Sequence, residues 1–265
     1  MTTPKRPIIR FMGGKWMLAP WIISHFPAHR AYVEPFGGGG SVLLRKPRAY
    51  AEVYNDIDDE LVNLFAIVRD RGDALRRQLE LTPFARNEFL MSYEPAHDSI
   101  ERARRTVVRA FMGFGCNSHG VKCGFRANSN RSGSTPAHDW RNLPDAIGAL
   151  TERLRGVVIE NKDACEVMAN HDTPQTLHYV DPPYVQKTRG KNRYRFEMSE
   201  SDHEDLAMTL NSLQGMVVLS GYRCDLYDTL YTGWPRAERK VYADGASPRT
   251  ECLWFRNVHL QPTLI

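Results

Sequence analysis

The chain has 265 residues, 42% of them apolar and 25% charged, with a formal net charge of +4. That is the make-up of an ordinary soluble globular protein of one large or two modest domains, and it excludes a disordered or fibrous chain. No stretch nears the ~20 consecutive apolar residues a membrane span requires. Behind Met1-Thr-Thr-Pro-Lys-Arg-Pro7 there is no apolar signal core, and five scattered cysteines (Cys116, Cys123, Cys165, Cys224, Cys252) fit reduced thiols, so a cytoplasmic protein is expected. Residues 101–141 carry eight Arg/Lys against two acids. Lys187, Arg189, Lys191, Arg193 and Arg195 form a second basic cluster, and together the two predict a polyanionic partner such as nucleic acid.

Residues 31–35 predict a strand that enters Phe36-Gly-Gly-Gly-Gly-Ser41, after which a helix-like run starts at Val42. Residues 50–54 predict the next strand, ending at Asn55-Asp56. From Asp58 a helix follows, with Leu61, Leu64, Phe65 and Val68 on one face and acids in its first turn. Glycines after a strand let a ligand approach the backbone closely, and an acid ending the next strand can accept hydrogen bonds from ribose hydroxyls. Leu43 stands where a third glycine of G-x-G-x-x-G belongs, and no Gly-Lys-Ser/Thr ending is present. The pair therefore predicts an adenosine-containing ligand with no required diphosphate.

Residues 99–112 predict a helix, 113–136 a surface loop or hairpin rich in Gly, Ser and Asn, 142–154 a helix and 156–160 a strand. The run 177–180 predicts a buried strand ending in Asp181-Pro182-Pro183-Tyr184. Two prolines force a rigid turn that holds one carboxylate, two carbonyls and an aromatic ring, suited to gripping a flat base by its amino group. Ser201-Asp-His-Glu204 fits a capping box opening a helix with Leu206, Leu210 and Leu213 on its buried side. Residues 216–220 and 252–255 predict further strands. The alternation implies a mainly parallel α/β sheet with helices on both faces: a core of residues 1–74 and 156–265, interrupted by an inserted module at 75–155.

Cys116-x2-His119-x3-Cys123 with His138 lacks the spacing of a zinc site, and no metal is expected. Ser220 and His203 lack a nucleophile-elbow context, which disfavours a hydrolase.

Four ordered blocks carry a family resemblance: Arg10-Phe-Met-Gly-Gly-Lys15, Val33-Glu-Pro-Phe-Gly-Gly-Gly-Gly-Ser41, Asn55-Asp-Ile-Asp58 and Asp181-Pro-Pro-Tyr184, with the tail Arg249-Thr-Glu-Cys-Leu-Trp254. In these the chain resembles the Dam-like (D12 class) DNA adenine-N6 methyltransferases. The resemblance implies a Rossmann-like, S-adenosylmethionine-dependent methyltransferase with an inserted, mostly helical or hairpin DNA-recognition module, acting on duplex DNA as a monomer. It implies a cofactor set of Phe11 (where the family more often has Trp), Lys15, Glu34, Phe36, Gly38, Gly40, Asp56, Ile57, Asp163 and Asp181. Asp181, Pro182, Pro183 and Tyr184 become the catalytic turn, with Tyr184 stacking on a flipped-out adenine. Asn117, Ser118, Lys122, Arg126, Asn128, Asn130, Arg131, Lys187 and Arg189 become DNA contacts, of types that suit base edges or phosphates. Another planar amine (cytosine N4, an RNA base, a protein glutamine), a non-catalytic DNA-binding protein of this fold, and a nucleotide-dependent oxidoreductase stand as alternatives.

Overall fold

The computed structural model describes residues 3–115, 122–128, 133–189, 194–242 and 248–258, the side chains of 242 and 248 excepted. The apolar and β-branched runs become strands: β1 (Ala31–Glu34), β2 (Ala51–Asn55), β3 (Val157–Glu160), β4 (Thr176–Val180), β5 (Met216–Tyr222), β6 (Arg236–Tyr242) and β7 (Pro248–Arg256). Between them lie α1 (Ala19–Ile23), α2 (Ser41–Arg45), α3 (Asp59–Leu81), α4 (Arg86–Met91), α5 (Ser99–Met112), α6 (Pro136–Arg141), α7 (Pro144–Leu154), α8 (Ala164–Asn170), α9 (Glu200–Ser212) and α10 (Asp225–Leu230). The strands form one sheet in the order β3-β2-β1-β4-β5-β7-β6. β1 to β5 run parallel, and β7 pairs antiparallel with both β5 and β6.

Period-two alternation divides the core between the two faces of the sheet. Leu177, Tyr179, Val218, Leu253 and Phe255 pack with residues of α1, α2, α3, α5 and α7. Val180, Val217, Leu219, Cys252 and Trp254 pack with α8, α9 and α10 on the other side. Every residue of β4 is buried, as expected of a central parallel strand covered on both faces. Each fully buried side chain of this kind contributes about 1.5–3 kcal/mol. Among the described residues no helix is long and apolar enough to cross a membrane.

The helix expected from Asp58 forms, with Asp58 as N-cap accepting from the Glu60 amide. It kinks at Arg71 (φ −134°), where the Thr151 hydroxyl of α7 donates to the Val68 carbonyl. A Cβ on Gly72 would lie 2.1 Å from that hydroxyl, so the close crossing of α3 and α7 depends on glycine. Residue 75, at the expected start of the inserted module, falls inside α3, and Leu75, Leu79, Ile147, Leu150 and Leu154 share one core with the sheet.

Two expectations need adjustment. The capping box that opens α9 is Ser199 with Asp202, not Ser201 with Glu204; an Asp at the third helical position closes it as well as a Glu. The edge strand β6 was not anticipated. Its Arg-Ala-Glu-Arg-Lys-Val-Tyr sequence is mostly exposed and charged, the device by which sheet edges avoid pairing with other chains, and so it shows little apolar alternation.

Candidate active site

The strand order reverses between β1 and β4, and in open parallel sheets ligands bind beyond the carboxyl ends of the strands at such a switch point. Two motifs meet there. Beyond β1, Gly38 (φ +50°) and Gly40 (φ +60°) take left-handed conformations that turn the chain into α2. A Cβ at Gly40 would lie 2.7 Å from the Phe65 ring, and one at Gly38 would lie 2.8 Å from Phe11. The loop is latched from β2: Asp56 accepts from the Gly38 amide (2.7 Å) and from the Asp58 amide (2.9 Å). Ile57 beside it is 53% exposed, an apolar side chain offered to solvent.

A cavity of about 40 Å³ separates this loop from the proline turn; Glu34, Phe36, Tyr179 and Asp181 are in its wall, and Phe11, Lys15 and Tyr194 complete it. Glu34 is buried and accepts from the Tyr32 hydroxyl (2.7 Å) and the Leu43 amide (2.9 Å). Desolvation outweighs these donors and pushes its carboxyl up to about 8, with the nearby Asp181 charge adding to the rise. Asp163 lies apart from this wall. Its carboxylate caps α8, accepting from the Cys165 and Glu166 amides.

Beyond β4 the backbone turns through Pro182 and Pro183. The Asp181 carboxylate is held at one oxygen: Oδ1 accepts from the Ser220 hydroxyl of β5 at 2.7 Å and lies 3.0 Å from Lys15 Nζ. Among the described residues no hydrogen bond is made to Oδ2, and the side chain keeps 19% exposure. Lys15 is buried, donates to the Gly13 carbonyl (2.9 Å) and lies 3.7 Å from Glu251 of β7. Burial opposes its charge, yet Asp181 and Glu251 together raise its pKa above the ordinary lysine value.

Tyr184 is buried. Its hydroxyl donates to Glu251, its ring meets Tyr222 edge-on at 4.8 Å, and Lys15 Nζ sits 4.7 Å from its centroid. A second cavity, of about 780 Å³, is lined by Lys187, Thr188, Tyr222, Cys224 and Arg249.

The residues expected to meet DNA divide. Arg189 supports the turn, donating from Nε to the Tyr184 carbonyl (2.6 Å) and pairing with Glu197. Arg126 is buried and donates to the Phe111 carbonyl, because the segment carrying it folds against the end of α5. Lys187 is exposed and pairs with Glu200 (2.7 Å), and Asn128 is exposed. Lys122 joins Arg102, Arg105, Arg109 and Arg195 around a cavity of about 280 Å³ beside Tyr93. Asn117, Ser118, Asn130 and Arg131 lie outside the described residues, as do Cys116 and His119. Sequence reasoning missed Ser220, Tyr222 and Tyr194, and it gave Glu251 no role. Ser220 had been weighed only as a nucleophile; its signal was its position at the end of the strand next to β4.

A glycine loop, an acid after the adjoining strand and a carboxylate-proline turn at one switch point define a Rossmann-like methyltransferase fold. The family model for D12 class N6 adenine-specific DNA methyltransferase matches residues 11–242. The chain is 31% identical over 219 residues to a DNA adenine methylase of Serratia marcescens, covering 78% of each. It is 24% identical to the DNA adenine methylase of Escherichia coli K12, over 80% of this chain and 77% of that one. With the type II methyltransferase M.MjaIII of Methanocaldococcus jannaschii the identity is 23%, over 86% and 89%. The chain belongs to the D12 class of adenine-specific DNA methyltransferases. It is a DNA adenine methyltransferase, which uses a methyl donor and has DNA as substrate.

Proposed function

We propose that the methyl donor is S-adenosylmethionine, held between the Gly37–Gly40 loop and the Asp181 turn, and that the acceptor is N6 of an adenine swung out of duplex DNA. The observation that carries this reading is the shared cavity, with the glycine loop on one wall and Asp181 on the other. The residues fit the donor. Gly38 and Gly39 leave a cradle that a Cβ would fill, Glu34 is a buried acid suited to a cationic group, and Ile57 offers apolar surface near the Asp56 acid. Because Phe11 and Tyr194 narrow the cavity to about 40 Å³, a nucleoside-sized ligand, which takes roughly 300 Å³ or more, is admitted only as those rings swing aside.

When bound, the donor supplies an electrophilic sulfonium methyl. The adenine amine is a poor nucleophile because its lone pair is delocalised into the ring. Asp181 Oδ2 accepts one N6–H and the Pro182 carbonyl the other, which favours a pyramidal nitrogen and stabilises the positive charge that develops on it. With the donor bound, whose carbon–sulfur bond would break as its methyl passes to nitrogen, Asp181 would take the surplus N6 proton. Lys15 and Ser220 keep Oδ1 occupied, so that Oδ2 faces the substrate; alignment of nitrogen and methyl supplies the remainder of the rate. The target nucleotide approaches through the cavity lined by Tyr222, Arg249 and Lys187, with Tyr184 edge-on to Tyr222 beside it. The Arg102–Arg105–Arg109–Lys122–Arg195 cavity, which Glu60 and Glu94 also line, carries a cation excess that suits the DNA backbone. Asn117, Ser118, Asn128, Asn130 and Arg131 are the proposed readers of base edges.

Asp181→Asn tests the reading. Methyl transfer to DNA should fall by about 10³-fold or more while calorimetric affinity for S-adenosylmethionine stays within about threefold. Activity near wild type sinks the assignment.

A further inference from the structure

The mechanism above uses Asp181 and explains Lys15 and Ser220, but it leaves a buried acid unused. Glu251 is 3% exposed on β7, opposite Tyr222 of β5 in the sheet register. A carboxylate buried so deeply is costly unless it is engaged. It is engaged twice, by the Tyr184 hydroxyl, which donates to it, and by Lys15 Nζ at 3.7 Å. Both partners belong to the catalytic corner. Tyr184 is the last residue of the proline turn, and Lys15 is the cation that sits on Asp181 Oδ1.

We propose that Glu251 is a positioning residue for methyl transfer: it latches the Tyr184 hydroxyl and holds the Lys15 ammonium, and so fixes the turn with one Asp181 oxygen covered and the other turned to the amine. This rests on the reading of Asp181 given above. Glu251 touches neither donor nor DNA in that scheme. It acts through two contacts converging from the turn and from the N-terminal loop, and its own strand is anchored between β5 and β6. Burial, opposed by Lys15 and reinforced by the Asp181 charge, holds its carboxyl above the usual range, so the latch sits under electrostatic load.

Three variants and a control separate this from simple packing. Glu251→Leu removes acceptor and charge; kcat should fall by about 100-fold, the scale expected for an ångström-level misplacement, with KM for S-adenosylmethionine and for DNA within about threefold. Glu251→Gln keeps an acceptor for the Tyr184 hydroxyl and should recover kcat to within about fivefold of wild type. Tyr184→Phe breaks the same link from the other end, so adding it to Glu251→Leu should lower kcat by no more than about twofold further. The idea is overturned if the two losses multiply, if Gln is no better than Leu, or if the defect lies in KM. Unchanged thermal melting and S-adenosylhomocysteine binding show that each variant is folded; if Glu251→Leu does not fold, the Gln and Phe variants and their double mutant decide by the same non-additivity. Asp181→Asn, run alongside, keeps the outcomes distinct. An inactive Asp181 variant with a fully active Glu251→Leu sinks only the latch, whereas an active Asp181 variant sinks the mechanism beneath it.

Discussion

Two buried charge clusters sit in the same sheet and do opposite work. Near the amino end of β2, Glu52 is surrounded by cations: Lys46 Nζ at 2.6 Å, Arg153 Nη1 at 2.6 Å and Arg153 Nη2 at 2.9 Å, with the Ala49 amide at 3.1 Å. Both of its oxygens are used, and despite burial the Arg153 and Lys46 donors hold its carboxyl below the usual range. Beyond the carboxyl end of β4 the balance is reversed. One cation, Lys15, serves two carboxylates, the Glu251 carboxyl is pushed up, and Asp181 keeps an oxygen outside the hydrogen bonds made by the described residues. A cluster with surplus cations closes on itself and ties α7 to the sheet. A cluster with surplus carboxylate keeps acceptor capacity that a substrate amine can use.

The comparison breaks most readily at Glu52. Glu52→Ala strands two buried cations and should cost about 3–5 kcal/mol in denaturant unfolding, while methyl transfer per folded molecule is retained. A loss under 1 kcal/mol would mean that this cluster is not the structural one. Ser220→Ala removes the neutral donor to Asp181 Oδ1, and kcat should drop by about tenfold with little change in melting temperature, measured by steady-state methyl transfer. Glu34, held up to about 8, is mostly protonated at neutral pH and must ionise to meet a cationic donor. Affinity for S-adenosylmethionine should therefore tighten roughly eightfold between pH 7 and 8.5 relative to Glu34→Gln, by calorimetry. The stability sign is opposite. The folded form holds the extra proton, so Glu34's contribution to stability is full below the ordinary carboxyl range and is lost as pH rises through about 8. Asp181→Asn gives the smallest effect on stability, a change of at most about 1 kcal/mol or a slight gain, since an acceptor kept for substrate is not one the fold depends on.

How far the sequence revealed this architecture followed from which signals are local. Glycines after a strand, a proline pair after a buried run, and an acid-rich first turn each act over a few residues, so the loop, the turn and α3 were legible where they stand. Apolar periodicity likewise exposed the parallel strands. Long-range partners were not legible. Glu251 and Ser220 reach Asp181 and its supports only because β7 lies antiparallel beside β5 and β5 lies beside β4, a neighbourhood that no short window contains. Arg126 and Arg189 read as surface cations because charge is visible in a sequence and the carbonyls they serve are not. The packing across the expected module boundary was hidden for a related reason: Gly72 and Thr151 join α3 and α7 across 79 positions of chain.

The strand order carries one more implication. β7, which follows every other part of the corner in the chain, slots between β5 and β6. Until that strand docks, β5 presents an open row of amides and carbonyls, and Tyr184 and Lys15 lack Glu251. A nascent or partly unfolded molecule therefore carries an exposed pairing edge, and docking of β7 covers it in the same step that brings Glu251 to Tyr184 and Lys15.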